Sequence, residues 1–280
     1  MSLFHQGAQR ASRRRSLPGI TILALASVFA IGGLATHADS AQASGKKVVI
    51  VVGPSGSSTA KYRDTADRLA SQARSYGATV YKLYSPYATW SRVRKYAQGA
   101  KILIYLGHGN GWPSPYGPYQ PYTKDGMGLN ATYGNGNSNV KYWGEYYIRN
   151  YINLASNAVV ILNHLCYASG NSEWGAANPT RSTAIKRVDN YGAGFLRANA
   201  KAVFADGLSS VKYILYGLFR TNRTMAQIFW SSPDAKKTYS FSFTSSRTSW
   251  AKALMDPYAP ARYYHSVIGS LGMTATTWRG

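Results

Sequence analysis

Residues 46–53 read KKVVIVVG, an almost unbroken run of β-branched residues that ends at a glycine. A strand that is buried on both faces has this pattern, because neither face requires alternating polar residues. Similar apolar runs follow at 101–107, 157–165 and 200–207, and a shorter one lies at 78–86. Five such strands predict a central β-sheet with both faces covered.

Helical segments separate these strands. Apolar and aromatic residues recur at helical spacing between 59 and 76, and Thr89 is the expected N-cap of a second helix through Ala97. Further helices are predicted over 142–155 and 180–199. Short apolar strands joined by helices indicate an α/β three-layer sandwich, in which helices cover both faces of a mainly parallel sheet.

Two regions fall outside this alternation. Residues 110–141 form a Gly-, Pro-, Asn- and Tyr-rich insertion without periodicity. A loop of this length is usually functional or disordered, and its tyrosines argue against simple disorder. Two uses are open for it, lining a cleft for peptide or glycan and packing against the domain. Residues 209–280 form a C-terminal extension, with helices predicted over 210–230, Thr224 as an N-cap, and an alternating strand at 239–243.

The first 43 residues have the features of an export signal. Four arginines precede an apolar segment at Ile20–Ala35, and an A-x-A cleavage pattern follows at Ala41–Ala43. We expect cleavage after Ala43, which leaves residues 44–280 as a single secreted domain without a membrane span. The alternative is a membrane anchor formed by the same apolar segment.

The charge balance indicates the kind of partner. The chain carries a net charge of +22, and loss of the signal removes four arginines and one aspartate to leave +19. Such a charge suits an acidic cell-wall polymer, nucleic acid or an anionic membrane surface. The cations are spread along the chain, which favours an extracellular or cell-wall-associated protein that adheres to acidic polymers. No aromatic–basic motif indicates specific nucleic-acid binding.

Cys166 is the only cysteine, so the chain cannot form an internal disulfide. A free thiol in an exported protein is retained when it is buried or when its chemistry is used. Ligands of open α/β sheets bind at the carboxyl ends of the strands, and Cys166 follows the strand at 157–165. His108 follows the strand at 101–107, and neighbouring strands lie about 4.8 Å apart. These two residues therefore form a candidate site if their strands are neighbours.

This pair suits nucleophilic catalysis, since a thiolate attacks a carbonyl while an imidazole takes and returns protons. The amides of Gly109 and Cys166 are candidates for an oxyanion hole. Inert roles are the alternatives: Cys166 as a buried core thiol, and His108 as a turn residue. Adding His164 and His265 would complete four zinc ligands, but no CxxC or HxxxH spacing supports this, so no metal or cofactor is expected.

Acidic residues are scarce, which draws attention to Glu173 and Asp206. Glu173 lies seven residues after the cysteine, and Asp206 ends the strand at 200–207. Either carboxylate is a candidate for binding a basic side chain of a substrate. The structural alternatives are a helix cap for Glu173 and a turn cap for Asp206.

The motifs KILIYLGHGNG (101–111) and NAVVILNHLCYASG (157–170) resemble the caspase-like (clan CD) cysteine peptidases, which include caspases, legumain, clostripain, gingipains and CHAT-domain proteases. The resemblance covers about 46–208, the core of the predicted domain. It implies the strand order 2-1-3-4-5, with His108 as general base and acid and Cys166 as nucleophile. The chain departs from the pattern in three ways: Leu165 replaces a common alanine, the spacer is long and aromatic, and the substrate-pocket residues have no match.

The sequence therefore predicts a secreted cysteine endopeptidase that acts on a protein or peptide substrate through a His108/Cys166 dyad. The alternative is a caspase-like fold without catalysis that binds acidic cell-wall polymer or glycan.

Overall fold

The run KVVIVV forms strand β1 (Lys47–Val52), in which every residue after Lys47 is buried. The computed structural model describes residues 45–280, so the predicted export signal lies outside the described residues. Along β1, Val48 and Ile50 join one hydrophobic cluster, while Val49 and Val51 join another on the opposite face of the sheet. Hydrocarbon on both faces explains why the run has no polar alternation.

The remaining elements alternate along the chain. The other strands are β2 (Thr79–Tyr84), β3 (Ile102–Leu106), β4 (Met127–Asn130), β5 (Val140–Trp143), β6 (Ala158–Asn163), β7 (Ala200–Asp206), β8 (Phe241–Thr244), β9 (Lys252–Met255) and β10 (His265–Gly269). The helices are α1 (Thr59–Ser75), α2 (Trp90–Ala97), α3 (Glu145–Tyr151), α4 (Arg181–Arg197), α5 (Lys212–Arg220), α6 (Met225–Phe229) and α7 (Ala275–Arg279), and a short 3-10 turn precedes α1 at Gly56–Ser58.

Eight of the strands form one sheet, in the order β2-β1-β3-β6-β7-β10-β9-β8. The pairs from β2 to β7 are parallel, and the pairs from β7 to β8 are antiparallel. The predicted order 2-1-3-4-5 describes only the parallel part of this sheet. The three strands that complete it come from the C-terminal extension, so this extension shares the core of residues 45–280.

Helices cover both faces of the sheet. Buried residues of α1, α5, α6 and α7 pack on the face that carries Val48, and those of α2, α3 and α4 pack on the face that carries Val49. The molecule is thus α/β, with a large and mainly parallel central sheet between helical layers. No helix within residues 45–280 is both long enough and apolar enough to cross a membrane.

The insertion contains structure that the sequence did not predict. Strands β4 and β5 pair as an antiparallel two-stranded sheet within and just after residues 110–141. Tyr142 and Trp143 belong to β5, so the prediction of a helix from residue 142 is wrong at its start. Trp143 instead stacks on Trp90, with ring centroids 5.1 Å apart, and α3 begins at Glu145. A packing contact distant in sequence therefore overrides the local helical pattern.

Two predicted helix caps have different outcomes. Thr224 caps α6 in a complete capping box with Gln227, as predicted. Thr89 occupies the N-cap position of α2, but its side chain accepts no capping hydrogen bond.

Candidate functional site

Strands β3 and β6 are parallel neighbours, and their register pairs Leu106 with Asn163. His108 therefore follows β3 at the same edge of the sheet at which Cys166 follows β6. The backbones of the two loops touch, because a β-carbon built on Gly109 would overlap the carbonyl oxygen of Cys166 and lie 3.1 Å from its amide nitrogen. Only glycine permits this approach, which brings the two loops together as the sequence predicted.

The His108 side chain is exposed at this edge. Its ring makes no hydrogen bond or ion pair with any residue between 45 and 280. The backbone beneath it is tethered, since the buried Tyr105 hydroxyl lies 2.9 Å from the His108 carbonyl oxygen and 2.8 Å from that of Gly128. The loop is thus held while the imidazole remains available to a ligand.

Cys166 is half-buried, and its surroundings disfavour the thiolate. Burial raises the pKa of the thiol, and the negative charge of Glu173 raises it further, while the Trp174 backbone amide acts in the opposite direction. A raised thiol pKa means that the sulfur keeps its proton at neutral pH. Activation of this thiol therefore requires a base or a change in the nearby charge.

The two amide N–H groups predicted to form an oxyanion hole are free to donate hydrogen bonds within the described part of the chain. Among the hydrogen bonds of residues 45–280, neither the Gly109 nor the Cys166 N–H has a protein acceptor. The residues that flank Cys166 also turn sharply, since His164 and Tyr167 have φ angles of 61° and 70°. Non-glycine residues in this left-handed region cluster at functional sites.

Glu173 lies beside the thiol rather than at a helix cap, because α4 begins eight residues later, at Arg181. Its carboxylate accepts hydrogen bonds from the hydroxyls of Tyr116 at 2.7 Å and Tyr167 at 3.0 Å. It also lines two clefts, one of about 540 Å³ bounded by the insertion and one of about 420 Å³ formed by residues 171–179 and 261–264. The predicted substrate-binding residue therefore borders two clefts, and Gly109 of the His108 loop also lines the first of them.

Asp206 takes the structural role that was its alternative. Its Oδ1 accepts hydrogen bonds from the amides of Leu208 at 3.0 Å and Ser209 at 2.7 Å, so it caps the turn after β7. It also lines a pocket of about 240 Å³ together with Asp234 and Asp256. Tyr264 borders both this pocket and the cleft formed by residues 171–179 and 261–264. This pocket, which Lys236 and His265 also line, thus continues the same edge of the molecule.

The other two histidines between residues 45 and 280 have separate packing roles. The His164 ring stacks on Tyr62 with centroids 5.5 Å apart, and its Nδ1 lies 3.1 Å from the Gly207 carbonyl oxygen. His265 lies on β10, where its Nε2 is 2.9 Å from the Tyr213 hydroxyl. Within the described residues, no group of three or more His, Cys, Asp or Glu side chains is arranged to hold a metal ion.

The sequence did not identify the tyrosines around Cys166. A negative charge on Cys166 would raise the pKa of each of five tyrosine hydroxyls, which indicates their proximity to the thiol: Tyr62, Tyr116, Tyr142, Tyr167 and Tyr191. Tyr167 follows Cys166 directly and Tyr116 belongs to the tyrosine-rich insertion. The other three are remote in sequence, and no pattern in the sequence signalled them. They make the site aromatic and hydroxyl-rich, with Glu173 as its acidic member.

The comparisons with known proteins are negative. No family model, curated protein or solved structure matches the chain.

Proposed function

We propose that this protein is a secreted cysteine endopeptidase with a caspase-like fold, in which Cys166 is the nucleophile and His108 the general base and acid. One observation carries the proposal. The Gly109 backbone lies against the Cys166 peptide, so an exposed imidazole and a half-buried thiol belong to touching loops at the carboxyl edge of the sheet. Ligands bind at this edge in open α/β folds.

The proposed reaction begins when His108 takes the proton from the Cys166 sulfur and the thiolate attacks the carbonyl carbon of the scissile peptide bond. The Gly109 and Cys166 amides, which have no acceptors among the described residues, donate to the resulting oxyanion. His108 then returns its proton to the departing amine. Water, deprotonated by His108, hydrolyses the thioester and releases the second product, which restores the thiol.

The negative charge beside Cys166 in the unbound protein suits a substrate with a basic side chain. Burial, and after it the charge of Glu173, raises the pKa of Cys166 in the free protein. A lysine or arginine of the substrate that pairs with Glu173 would neutralise this carboxylate and lower the pKa of the thiol. Binding and activation would then be coupled.

The test measures cleavage of a pool of quenched fluorescent peptides, half of them with lysine or arginine and half without. We expect Cys166→Ala to abolish cleavage and His108→Ala to reduce it by about 10²- to 10⁴-fold, the range for loss of a general base. Unchanged cleavage by Cys166→Ala would refute the mechanism. Absence of cleavage by the wild-type chain would favour the binding protein that is the alternative.

A glycine pair tests the geometry separately from the chemistry. Gly109→Ala introduces a β-carbon that overlaps the Cys166 carbonyl, so the His108 loop must move and cleavage should fall strongly. Gly272→Ala is the matched control, because a β-carbon there meets no atom within 4 Å. Equal activity of the two variants would exclude the proposed juxtaposition.

A further inference from the structure

A layer of aromatic rings lies on one side of the molecule, where α2, β5, α3 and part of the insertion meet. We call it the aromatic face, and it consists of Trp90, Tyr122, Trp143, Tyr146, Tyr147 and Tyr151. The rings contact one another continuously, with centroids 5.1 Å apart for Trp90 and Trp143, 4.6 Å for Trp143 and Tyr147, and 4.9 Å for Tyr122 and Tyr146. Tyr122 is 53 % exposed and Tyr151 is 37 % exposed, so the layer reaches the surface.

Cations lie over this face and over the rings beside it. The Arg94 guanidinium is 5.0 Å from the ring centroid of Tyr151, and the Lys141 ammonium is 4.8 Å from that of Trp143. Arg92, also on α2, lies 5.8 Å from the ring of Tyr133, which in turn contacts Tyr87. Ring quadrupoles hold such cations in place without neutralising their charge.

No carboxylate within residues 45–280 pairs with these three cations. The one acidic residue of α2, β5 and α3 is Glu145, which is fully buried and bound to Arg197 and Arg247. The face therefore presents uncompensated positive charge together with tyrosine hydroxyls. Charge complementarity selects a polyanion that accepts hydrogen bonds.

Two classes of polyanion have this chemistry, and the ring geometry favours one. Single-stranded nucleic acids bind by stacking bases on open aromatic faces. Here Tyr151 has Arg94 over its ring and Tyr147 stacked beside it, and Trp143 has Lys141 over its ring and Trp90 stacked on it. With these ring faces in contact, guanidinium, ammonium and hydroxyl groups are left to meet the ligand.

We infer that the aromatic face binds a linear polysaccharide that carries carboxylate groups, at a surface separate from the Cys166 site. Carboxylates of the polymer would pair with Arg92, Arg94 and Lys141, and sugar hydroxyls would exchange hydrogen bonds with the exposed tyrosines. Binding would hold the protein on an acidic glycan matrix. It does not depend on the peptidase activity.

The test compares two triple variants with the same change in net charge. Arg92→Gln, Arg94→Gln and Lys141→Gln remove the cations of the face. Lys186→Gln, Arg223→Gln and Lys252→Gln remove exposed cations that have no carboxylate partner and lie over no ring within the described residues. Affinity for immobilised polygalacturonate is measured by biolayer interferometry, with dextran as the neutral polymer and oligothymidylate as the nucleic-acid probe. Circular dichroism checks folding, and single Lys141→Gln replaces the triple variant if folding is lost.

We expect the face variant to lose about tenfold or more in affinity for polygalacturonate and the control to lose less than about twofold, since local charge complementarity decides binding. The single Lys141→Gln variant should lose about threefold. Equal losses of affinity in the two triple variants would show that net charge alone explains the binding, and would overturn the inference. The inference would also be overturned if the wild type bound oligothymidylate more tightly than polygalacturonate, bound dextran as tightly as polygalacturonate, or did not bind polygalacturonate. Cleavage of peptides should be unchanged in the face variant, which separates this inference from the proposed function.

Discussion

The parallel strands and the insertion are both ordered, but different forces stabilise them. In β1, β3 and β6 the residues facing the two helical layers are aliphatic or aromatic and almost fully buried. The insertion instead depends on buried polar groups. Lys124 donates to the Asn110 side chain at 2.9 Å and to the Tyr116 carbonyl at 3.0 Å, and Asp125 accepts from the Trp112 amide at 3.0 Å.

This difference has a physical lesson. Hydrocarbon burial is non-directional and leaves a repeating pattern in the sequence, whereas a polar network depends on individual partners that are distant along the chain. Arg187 of α4 illustrates the second case, because it donates to the Pro113 carbonyl at 2.7 Å and to the Asn171 carbonyl at 2.8 Å. One side chain thus connects the insertion to the loop that carries Glu173.

The largest expected effect tests the parallel strands, which hydrocarbon burial stabilises. Phe204 on β7 is 1 % exposed, so Phe204→Ala should lower the free energy of unfolding by about 3–5 kcal/mol through lost burial and a cavity. Urea denaturation followed by circular dichroism measures this loss. Leu208→Ala is the control, since Leu208 is half exposed and its truncation should cost little. Similar losses in both variants would contradict a contribution of Phe204 burial to stability.

The polar side is tested at Glu145, a fully buried carboxylate. It accepts hydrogen bonds from Arg197 at 2.9 Å, from Arg247 at 2.8 Å and from the Tyr119 hydroxyl at 2.7 Å. Glu145→Ala leaves these donors without their acceptor and should cost about 3 kcal/mol. Limited proteolysis should then cut the insertion before the sheet unfolds. Asp64→Ala removes an exposed pair with Arg68 and should change little, and an equal effect would refute the special role of burial.

Asp125 should make the stability of the insertion depend on pH. Burial raises the pKa of this carboxyl from 3.8 to about 8, and its Oδ2 has no hydrogen-bond partner among the described residues. The folded chain therefore holds a proton that the unfolded chain releases, so this contribution to stability falls as the pH rises from about 4 to about 8. Asp125→Asn keeps an acceptor for Trp112 but cannot ionise.

The free energy of unfolding should consequently decrease less for Asp125→Asn than for the wild type between about pH 5 and about pH 8. Urea titrations at several pH values measure the two slopes, and the difference between them cancels the other titrating groups. Parallel slopes would show that Asp125 is ionised in the folded chain.

The smallest expected effect lies where the two regions meet, at Cys166. Glu173→Gln removes the charge that raises the pKa of the thiol, so alkylation by iodoacetamide at neutral pH should accelerate by about two- to fivefold. Mass spectrometry of the modified chain measures the rate. Asp64→Asn, an exposed change on α1, should leave the rate unaltered. A slower reaction in Glu173→Gln would show that the carboxylate assists the thiol instead.

The sequence by itself determined the α/β alternation, the five parallel strands and the positions of His108 and Cys166 at the ends of two of them. It did so because burial of a strand on both faces requires consecutive apolar residues, and the ends of such runs are visible without a structure. Strand β10 (HSVIG) is also wholly buried, but it is short, and so is its neighbour β9 (KALM). The place of these two strands in the main sheet was not predicted.

Only the tertiary structure decided which groups surround the thiol and which surface carries unpaired charge. The contact of Gly109 with Cys166, the tyrosines around Glu173 and the aromatic face each join elements that are far apart in sequence. Such contacts depend on the register of β3 with β6 and on the directed hydrogen bonds of the insertion. Neither leaves a periodic trace, since a polar network is specified by partner positions and not by the hydrophobicity of its residues.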